Sequence, residues 1–369
     1  MITAHTDVVG SLLRPSELLK AQKARVAGAI TQAAFKAIED RAVDQAIALQ
    51  EAAGLEVVTD GEMRRESFQS QMTAAVDGFG EFDLDAFLWG DWHGNADVGN
   101  WRQDRPASIG VVSQLRRKRH LSAEEFTYLR ARTKRIPKVT LPSPSLWANF
   151  WSRERSRTVY PTLASFLADV VTILRDEVAE LVRLGAIYIQ IDAPHYTLLL
   201  DPTTRVFYER QGWTLERWLA QGIEMDNAVM DGFSGVTFGF HLCRGNQDSR
   251  WLVTGDYALI AKPVFQGIHA QRLLLEYDDA RSGSFEPLAA VPDDKIVVLG
   301  LVTTKRVHRE TPEELSRRIK EASQYVPLER LAISPQCGFS TSIIGNRISS
   351  EDQQHKLEVI AETARTVWR

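Results

Sequence analysis

Short apolar runs rich in β-branched residues alternate along the chain with longer segments whose apolar residues recur at helical spacing. This alternation is typical of repeated βα units, in which helices cover a parallel sheet. The pattern predicts an α/β fold, and eight such runs favour a closed (β/α)8 TIM barrel. The predicted strands are Thr3–Val9, Glu56–Thr59, Lys138–Leu141, Ile187–Ile191, Val236–Phe240, Leu273–Leu275, Ile296–Leu301 and Leu331–Ile333.

Three segments between these runs carry a clear helical period. They are Ala33–Ala53, Phe166–Leu184 and Pro312–Tyr325. The last of them follows Thr311, a suitable N-cap, and opens with Pro-Glu-Glu, which suits a first helical turn. These segments predict helices of the outer ring.

The segment over residues 71–134 is less regular than the rest of the chain. It is rich in Gly, Asp and Trp up to Arg105 and becomes basic afterwards. It predicts an insertion between the second and third strands, folded as a hairpin or as a lid over the barrel mouth. Residues 1–369 are expected to form one domain around this insertion.

The charge balance and the hydropathy of the chain argue against nucleic acid and membranes as binding partners. The 369 residues carry 44 Lys and Arg against 48 Asp and Glu, which leaves no basic footprint for nucleic acid or an anionic membrane. No apolar run reaches the roughly 18 residues of a membrane span, and the first residues lack the basic start of a signal peptide. We expect a cytoplasmic protein with small-molecule partners; a homodimer stays open.

The chain contains only two cysteines, and both follow predicted strands. Cys243 lies two residues after His241, so an extended backbone presents both side chains on the same side. Glu276 ends the next predicted strand, and Cys337 follows the last one. In a closed barrel the carboxyl ends of all strands surround one mouth, so these four residues can converge.

Two thiolates, one imidazole and one carboxylate suit tetrahedral Zn2+. The alternative is that Cys243 and Cys337 are small buried hydrophobes and His241 a hydrogen-bonded core histidine. The position of both cysteines at strand ends, together with the His-x-Cys spacing, favours zinc.

With this set of residues the chain resembles the catalytic barrel of the cobalamin-independent methionine synthases. The resemblance extends over essentially the whole length of the chain. The chain is similar to the short, single-barrel members of that superfamily. The matching motifs are Val9-Gly-Ser11, Asp60-Gly-Glu62, Ile189-Gln-Ile-Asp192, His241-Leu-Cys243, Glu276 and Pro335-Gln-Cys-Gly338.

The resemblance implies a TIM barrel whose zinc binds the thiol of homocysteine and methylates it from 5-methyltetrahydrofolate. This is the reaction of a 5-methyltetrahydropteroyltriglutamate–homocysteine S-methyltransferase, and its product is methionine. The chemistry agrees, because a free thiol is mostly protonated near neutral pH whereas metal-bound sulfur is deprotonated. Two cysteinate ligands keep such a centre electron-rich, which suits alkyl transfer to sulfur better than hydrolysis.

The resemblance also assigns substrate contacts. Ser11 and Glu62 match residues that hold the carboxylate and the ammonium of homocysteine, and Asp192 matches one that binds the same amino group. The structural alternatives are a turn or helix cap for Ser11, a surface carboxylate for Glu62 and a loop cap for Asp192.

Departures from the family's pattern bear on the substrate. An acidic residue of the family is missing from Asp192-Ala-Pro-His195, and Lys305 or His308 stands nearest to the family's proton-donating histidine. These two residues and Asp192 are the candidate catalytic groups. Trp151 falls near a folate-stacking tryptophan, and the Arg244 guanidinium is placed to bind an anionic group.

Two other functions remain open. One is an alkyl transfer to another thiol, as in the zinc-dependent epoxide–coenzyme M transferases, with Arg244 binding a sulfonate. The other is a non-enzymatic, zinc-stabilised barrel that binds a thiol metabolite. A structural zinc site is usually closed by protein ligands, but Glu276 is a hard carboxylate that an incoming thiolate can displace, which favours an enzyme.

Overall fold

The computed structural model describes residues 1–81, 90–102 and 109–368. Strands and helices alternate over most of this length. The strands are β1 Val57–Val58, β2 Val76–Glu81, β3 Asp91–Trp92, β4 Trp101–Arg102, β5 Ile109–Arg117, β6 Ile136–Pro137, β7 Val139–Pro142, β8 Tyr188–Asp192, β9 Thr237–Leu242, β10 Arg272–Glu276, β11 Ile296–Val302 and β12 Leu331–Pro335.

The helices lie mainly between the strands. They are α1 Ser16–Val26, α2 Gln32–Ala53, α3 Ser70–Ala75, α4 Ala123–Arg130, α5 Leu163–Arg183, α6 Pro194–Leu198, α7 Pro202–Arg210, α8 Leu215–Arg217, α9 Ile223–Met230, α10 Ala258–Gly267, α11 Pro312–Ala322 and α12 Ser350–Val367. Short 3-10 turns cover Pro144–Phe150, Ala280–Ser282, Glu286–Ala290 and Leu328–Arg330, and a π-helical turn covers Trp218–Gly222. No helix among the described residues is long and apolar enough to cross a membrane.

A parallel sheet forms the centre of the molecule. Six strands follow one another in the order β7, β8, β9, β10, β11, β12, and β1 pairs in parallel with β6, which directly precedes β7 in the chain. The residues of β8, β9, β10, β11 and β12 are all buried, as expected for a sheet whose faces are both covered. The predicted α/β class with a parallel sheet is confirmed.

The predicted helices are also confirmed, with small shifts at their ends. Residues 33–53 fall in α2, residues 166–183 in α5 and residues 312–322 in α11. The Thr311 side chain accepts a hydrogen bond from the backbone N–H of Glu314, which is the predicted N-cap. Thr162 caps α5 in the same way through a capping box with Ser165.

The first predicted strand, Thr3–Val9, is the main difference from the sequence analysis. The backbone pairing of this segment with the sheet consists of one parallel bridge between Thr6 and Ile333 of β12. On its other side, the Glu56 carboxylate accepts from the backbone N–H groups of His5 and Thr6, at 2.8 and 3.0 Å. Side-chain bonds therefore take the place of a backbone ladder between this segment and β1.

A buried ionic network ties the first segment to the sheet. The Asp7 carboxylate accepts from Lys138 Nζ at 2.8 Å, from the Tyr188 hydroxyl at 2.6 Å and from Arg272 Nη2 at 3.2 Å. All four side chains are buried. The network joins four separate stretches of the chain in the interior of the sheet.

The described part of residues 71–134, the predicted insertion, includes most of α3, two antiparallel ribbons and α4. One ribbon pairs β2 with β5, the other pairs β3 with β4, and α4 follows. His93, directly after β3, exchanges two backbone hydrogen bonds with Trp251, at 2.8 and 2.9 Å. These bonds attach the segment to the loop that follows β9.

Candidate metal centre

Four side chains suited to binding a metal converge at the carboxyl ends of three sheet strands. His241 belongs to β9 and Glu276 ends β10, while Cys243 and Cys337 follow β9 and β12. Their candidate ligand atoms all lie within 4.8 Å of one another. The sheet therefore brings together the four residues that the sequence predicts as metal ligands.

Two of these residues carry a buried polar atom that makes no hydrogen bond to any described residue. His241 Nδ1 lies 3.3 Å from the backbone oxygen of Leu274, and Glu276 Oε1 accepts from the backbone N–H of Arg244 at 3.0 Å. The other atoms, His241 Nε2 and Glu276 Oε2, have no hydrogen-bond partner among the described residues. Unpartnered buried polar atoms are rare and call for an explanation, and a shared cation supplies one.

The two thiols complete this donor set. Cys243 Sγ and Cys337 Sγ lie 3.4 Å apart and do not form a disulfide. Their mutual hydrogen bond lowers the pKa of Cys337 and raises the pKa of Cys243. Ligands of a tetrahedral zinc ion lie roughly 3.3–3.8 Å apart, given Zn–N and Zn–S distances of about 2.0–2.3 Å. The donor chemistry of the cluster fits such an ion, and the 3.4 Å between the two sulfurs lies in this range.

The end of β10 is fixed by more than its own strand ladder. The hydroxyl of Tyr257 accepts from the backbone N–H of Glu276 at 2.9 Å and lies 3.3 Å from its backbone oxygen, to which it donates. The Glu276 side chain is fully buried. Its carboxylate is thus presented to the cluster by a rigid support.

A cavity of about 130 Å3 opens beside the cluster. His241, Cys243 and Cys337 form part of its wall. The predicted substrate residues Ser11, Glu62 and Asp192 line the same cavity, together with Val9, Gly10, Ser67, Phe68, Gln69, Trp92, Pro194, Leu198, Gly245, Asn246, Gln247, Leu252, Gly338, Thr341 and Ser342.

Glu62 is held in an unusual backbone conformation at this wall. Its φ of 53° lies in the left-handed region, which non-glycine residues adopt mainly where the surrounding structure enforces it. Oε1 accepts from the Thr140 hydroxyl at 2.7 Å, and Arg14 donates to the backbone oxygen of Glu62 at 3.1 Å. Oε2 has no partner among the described residues, so it remains available to a ligand.

Asp192 and Ser11 flank Glu62 in the cavity. Burial raises the pKa of Asp192 to about 7, and Gln190 Nε2 donates to its Oδ1 at 2.7 Å. Ser11 Oγ accepts from the backbone N–H of Ser340 at 3.3 Å. A Cβ at position 338 would lie 2.1 Å from Ser11 Oγ, so this close approach requires Gly338.

Three predicted site residues, Arg244, Trp151 and His308, are not among the described residues that line the cavity. The buried Arg244 guanidinium packs on the Tyr257 ring, 4.3 Å from its centroid, and the Arg244 backbone N–H donates to Glu276 Oε1. Trp151 is buried with its indole N–H donating to the backbone oxygen of Tyr160 at 3.1 Å. His308 is exposed and lies 3.5 Å from the Glu314 carboxylate.

Two further residues, Lys305 and His195, are buried but are not among the described residues that line the cavity. Lys305 Nζ lies 4.0 Å from Glu276 Oε2, so Lys305 adjoins the cluster. His195 is buried against the Trp218 ring, with centroids 3.9 Å apart, and burial lowers its pKa to about 3. His195 is therefore a neutral residue of the aromatic core.

The sequence analysis missed the apolar part of the cavity wall. Trp92 of β3 packs there with Leu198 and Leu252. The richness of residues 71–134 in tryptophan pointed to a lid, but nothing in the sequence indicated which tryptophan would reach the cavity. The position of Trp92 at the cavity depends on the backbone hydrogen bonds between its neighbour His93 and Trp251.

Comparisons with known proteins show the family to which the chain is similar. Residues 2–353 match the family described as the catalytic domain of cobalamin-independent synthases. The chain is 33% identical to the uncharacterized Bacillus subtilis protein YxjG over 99% of its own length and 95% of that protein. It is 29% identical to the methionine synthase of Pyrococcus abyssi, over 90% of this chain and 86% of that one.

A solved structure shares the fold. It is a B12-independent methionine synthase from a Shewanella species in complex with selenomethionine, with a TM-score of 0.73 and 18% identity. The match covers 100% of this chain and 98% of that one.

Proposed function

Because this chain belongs to the cobalamin-independent synthase catalytic-domain family, we propose that it is a zinc-dependent methyltransferase that acts on the thiol of homocysteine and forms methionine. The observation that carries the proposal is the shared cavity. Soft metal ligands form one part of its wall, and buried carboxylates suited to an amino acid form another.

His241, Cys243, Glu276 and Cys337 would hold the zinc ion. When bound, zinc lowers the pKa of a coordinated thiol and so provides a thiolate at neutral pH. Glu62 and Asp192 would bind the ammonium group of the substrate, and Ser11 its carboxylate. These three side chains line the same cavity as the ligands and would orient the thiol toward the cluster.

The methyl donor is proposed from the family alone, as 5-methyltetrahydrofolate. Trp151 and His308, which the sequence suggested for stacking on a folate and protonating it, lie outside the cavity wall as the structure describes it. We further propose that the sheet closes as a (β/α)8 barrel, through Thr6 and the side-chain bonds of Glu56, and that residues 71–134 are an insertion in one catalytic domain.

A parallel assay tests the function. The zinc-loaded protein is incubated with homocysteine and, separately, with 5-methyltetrahydrofolate, S-methylmethionine or a small epoxide, and the products are identified by mass. Methionine formed with either methyl donor supports the proposal. A thioether formed only with the epoxide, or no product with any donor, would contradict it.

A further inference from the structure

Lys305 is a buried cation whose ammonium makes no hydrogen bond in the part of the chain that the structure describes. Its side chain is 5% exposed and pairs with Glu276 Oε2 at 4.0 Å. A buried ammonium without hydrogen bonds is costly, so such a group is expected to serve a charge that arises when the site is at work.

The backbone beside Lys305 is held firmly. The N–H of Thr304 donates to Gln336 Oε1 at 2.6 Å, and Asn346 Nδ2 donates to the Thr304 oxygen at 2.9 Å. Because Gln336 directly precedes the ligand Cys337, the position of Lys305 is fixed relative to the cluster. Its ammonium is therefore presented to Glu276 by a rigid loop.

The Glu276 carboxylate has one fixed oxygen and one free oxygen. Oε1 is anchored by the Arg244 N–H, and Oε2 has no hydrogen-bond partner among the described residues. Oε2 lies 4.0 Å from Lys305 Nζ, so a short movement of the carboxylate brings it to that ammonium. The other carboxylate near Lys305 is Asp279, whose two oxygens both accept from Arg281 Nε at 2.8 Å.

We propose that Lys305 binds the Glu276 carboxylate after a substrate thiolate has displaced it from the metal. This inference rests on the proposed thiol activation. In the exchange, a bond from the substrate sulfur to the metal forms, the bond from Glu276 Oε2 breaks, and the thiol proton leaves to solvent. Lys305 is then a positioning residue for Glu276.

Charge explains why the exchange needs a cation at this place. Two cysteinates and a carboxylate around a divalent ion already sum to one net negative charge, and a substrate thiolate adds a second. An additional buried negative charge is unfavourable unless a positive group compensates it. The Lys305 ammonium supplies this positive charge next to Glu276 Oε2, the oxygen that leaves the metal in the proposed exchange.

The test uses zinc-loaded Lys305→Met, with Lys305→Arg as the charge-conserving variant. Lys295→Met is the matched control, because Lys295 is also buried but binds the backbone oxygens of Ile268 and Ala270. Zinc affinity is measured by competition with a chromophoric chelator, homocysteine affinity by calorimetry and the metal ligands by X-ray absorption.

Lys305→Met is expected to bind zinc at least as tightly as wild type, because a positive charge beside the divalent ion is removed. Its homocysteine affinity is expected to fall about tenfold or more, as for other buried charge partners. The oxygen ligand that homocysteine displaces in wild type should remain. Lys305→Arg should restore the exchange, and Lys295→Met should change neither affinity.

A purely structural role would weaken zinc and homocysteine binding together, and that result would overturn the proposal. Complete exchange in Lys305→Met would overturn it as well. An unchanged set of zinc ligands in wild type with saturating homocysteine would contradict the proposed function itself, and the role of Lys305 with it. Lys305→Gln, which keeps a polar tip, replaces Lys305→Met if that variant does not fold.

Discussion

Two carboxylates at the candidate metal centre and its cavity are each held by a hydrogen bond to one oxygen only. Glu276 gives one carboxylate oxygen to the Arg244 N–H and keeps the other free, and Glu62 gives Oε1 to Thr140 and keeps Oε2. The fold thus sets the orientation of each side chain and leaves one carboxylate oxygen without a hydrogen bond to the described residues. This division allows a side chain to be both rigid and available for binding.

The cysteines should determine the metal content. We expect Cys243→Ser and Cys337→Ser each to lose most of the zinc, because a serine hydroxyl is a poor substitute for a thiolate ligand. Metal analysis of purified protein measures this. His308→Gln is the control, since His308 is exposed and paired with Glu314, and it should keep its zinc. Full zinc occupancy in the double serine variant would refute the site.

Glu62 should determine the preference for an amino-acid thiol. Glu62→Gln is expected to weaken homocysteine binding by tens-fold or more, consistent with roughly 2–5 kcal/mol for a lost buried charge partner. Zinc content should stay normal because Glu62 is not among the four clustered ligands. Calorimetry gives the affinity, and Glu66→Gln, at an exposed site four residues along, is the control. Equal affinity in both variants would favour a thiol without an amino group.

The sequence was largely sufficient to predict which functional residues lie at the strand ends. It was not sufficient to predict where a side chain points after a strand has ended. The two cysteines, the His-x-Cys spacing and the place of Glu276 at a strand end were sufficient to predict which four side chains converge. Arg244 lies beyond the end of β9, where strand alternation no longer fixes the direction of a side chain, and its guanidinium packs on Tyr257. The backbone N–H of Arg244, which the sequence does not single out, is the group that reaches Glu276.

At the scale of elements, the ribbon of β3 and β4 supplies a wall of the cavity through Trp92. We expect Trp92→Ala to weaken substrate binding, seen as a higher KM, while zinc content is unchanged, because the side chain packs beside the cavity and not on the ligands. Trp101→Ala is the matched control, since Trp101 is the cross-strand partner of Trp92 and is not among the described residues of the cavity wall. Equal KM values in the two variants would show that the ribbon acts only through its fold.

The sequence correctly predicted strands and helices where the pattern of buried and exposed residues along the chain was simple. The fully buried strands and the capped helices α5 and α11 lie where apolar runs and helical periods predicted them. The first segment departs because Glu56 satisfies the N–H groups of His5 and Thr6. A carboxylate that replaces a strand ladder leaves no periodic signal in the sequence.

At the scale of the whole molecule, the network of Asp7 with Lys138, Tyr188 and Arg272 joins distant parts of the chain. We expect Asp7→Ala to lower the free energy of unfolding by about 3–5 kcal/mol, because it leaves buried cations unpaired. Urea unfolding followed by circular dichroism measures the change. Asp44→Ala removes an exposed carboxylate that pairs with Arg132 and should cost about 0–1 kcal/mol. Similar losses in both variants would mean that the network does not stabilise the fold.

The 3.4 Å separation of the Cys243 and Cys337 sulfurs also has a consequence for oxidation. In protein stripped of metal, hydrogen peroxide should convert the two thiols to a disulfide with release of water, because a sulfenic acid formed on one sulfur has the other thiol within reach. Loss of two hydrogens by mass and recovery of zinc binding after treatment with dithiothreitol would identify this state. Zinc-loaded protein should resist the same treatment, so an ion with the proposed role in thiol activation would also protect the two thiols that hold it. Equal rates of thiol loss with and without zinc would contradict this expectation.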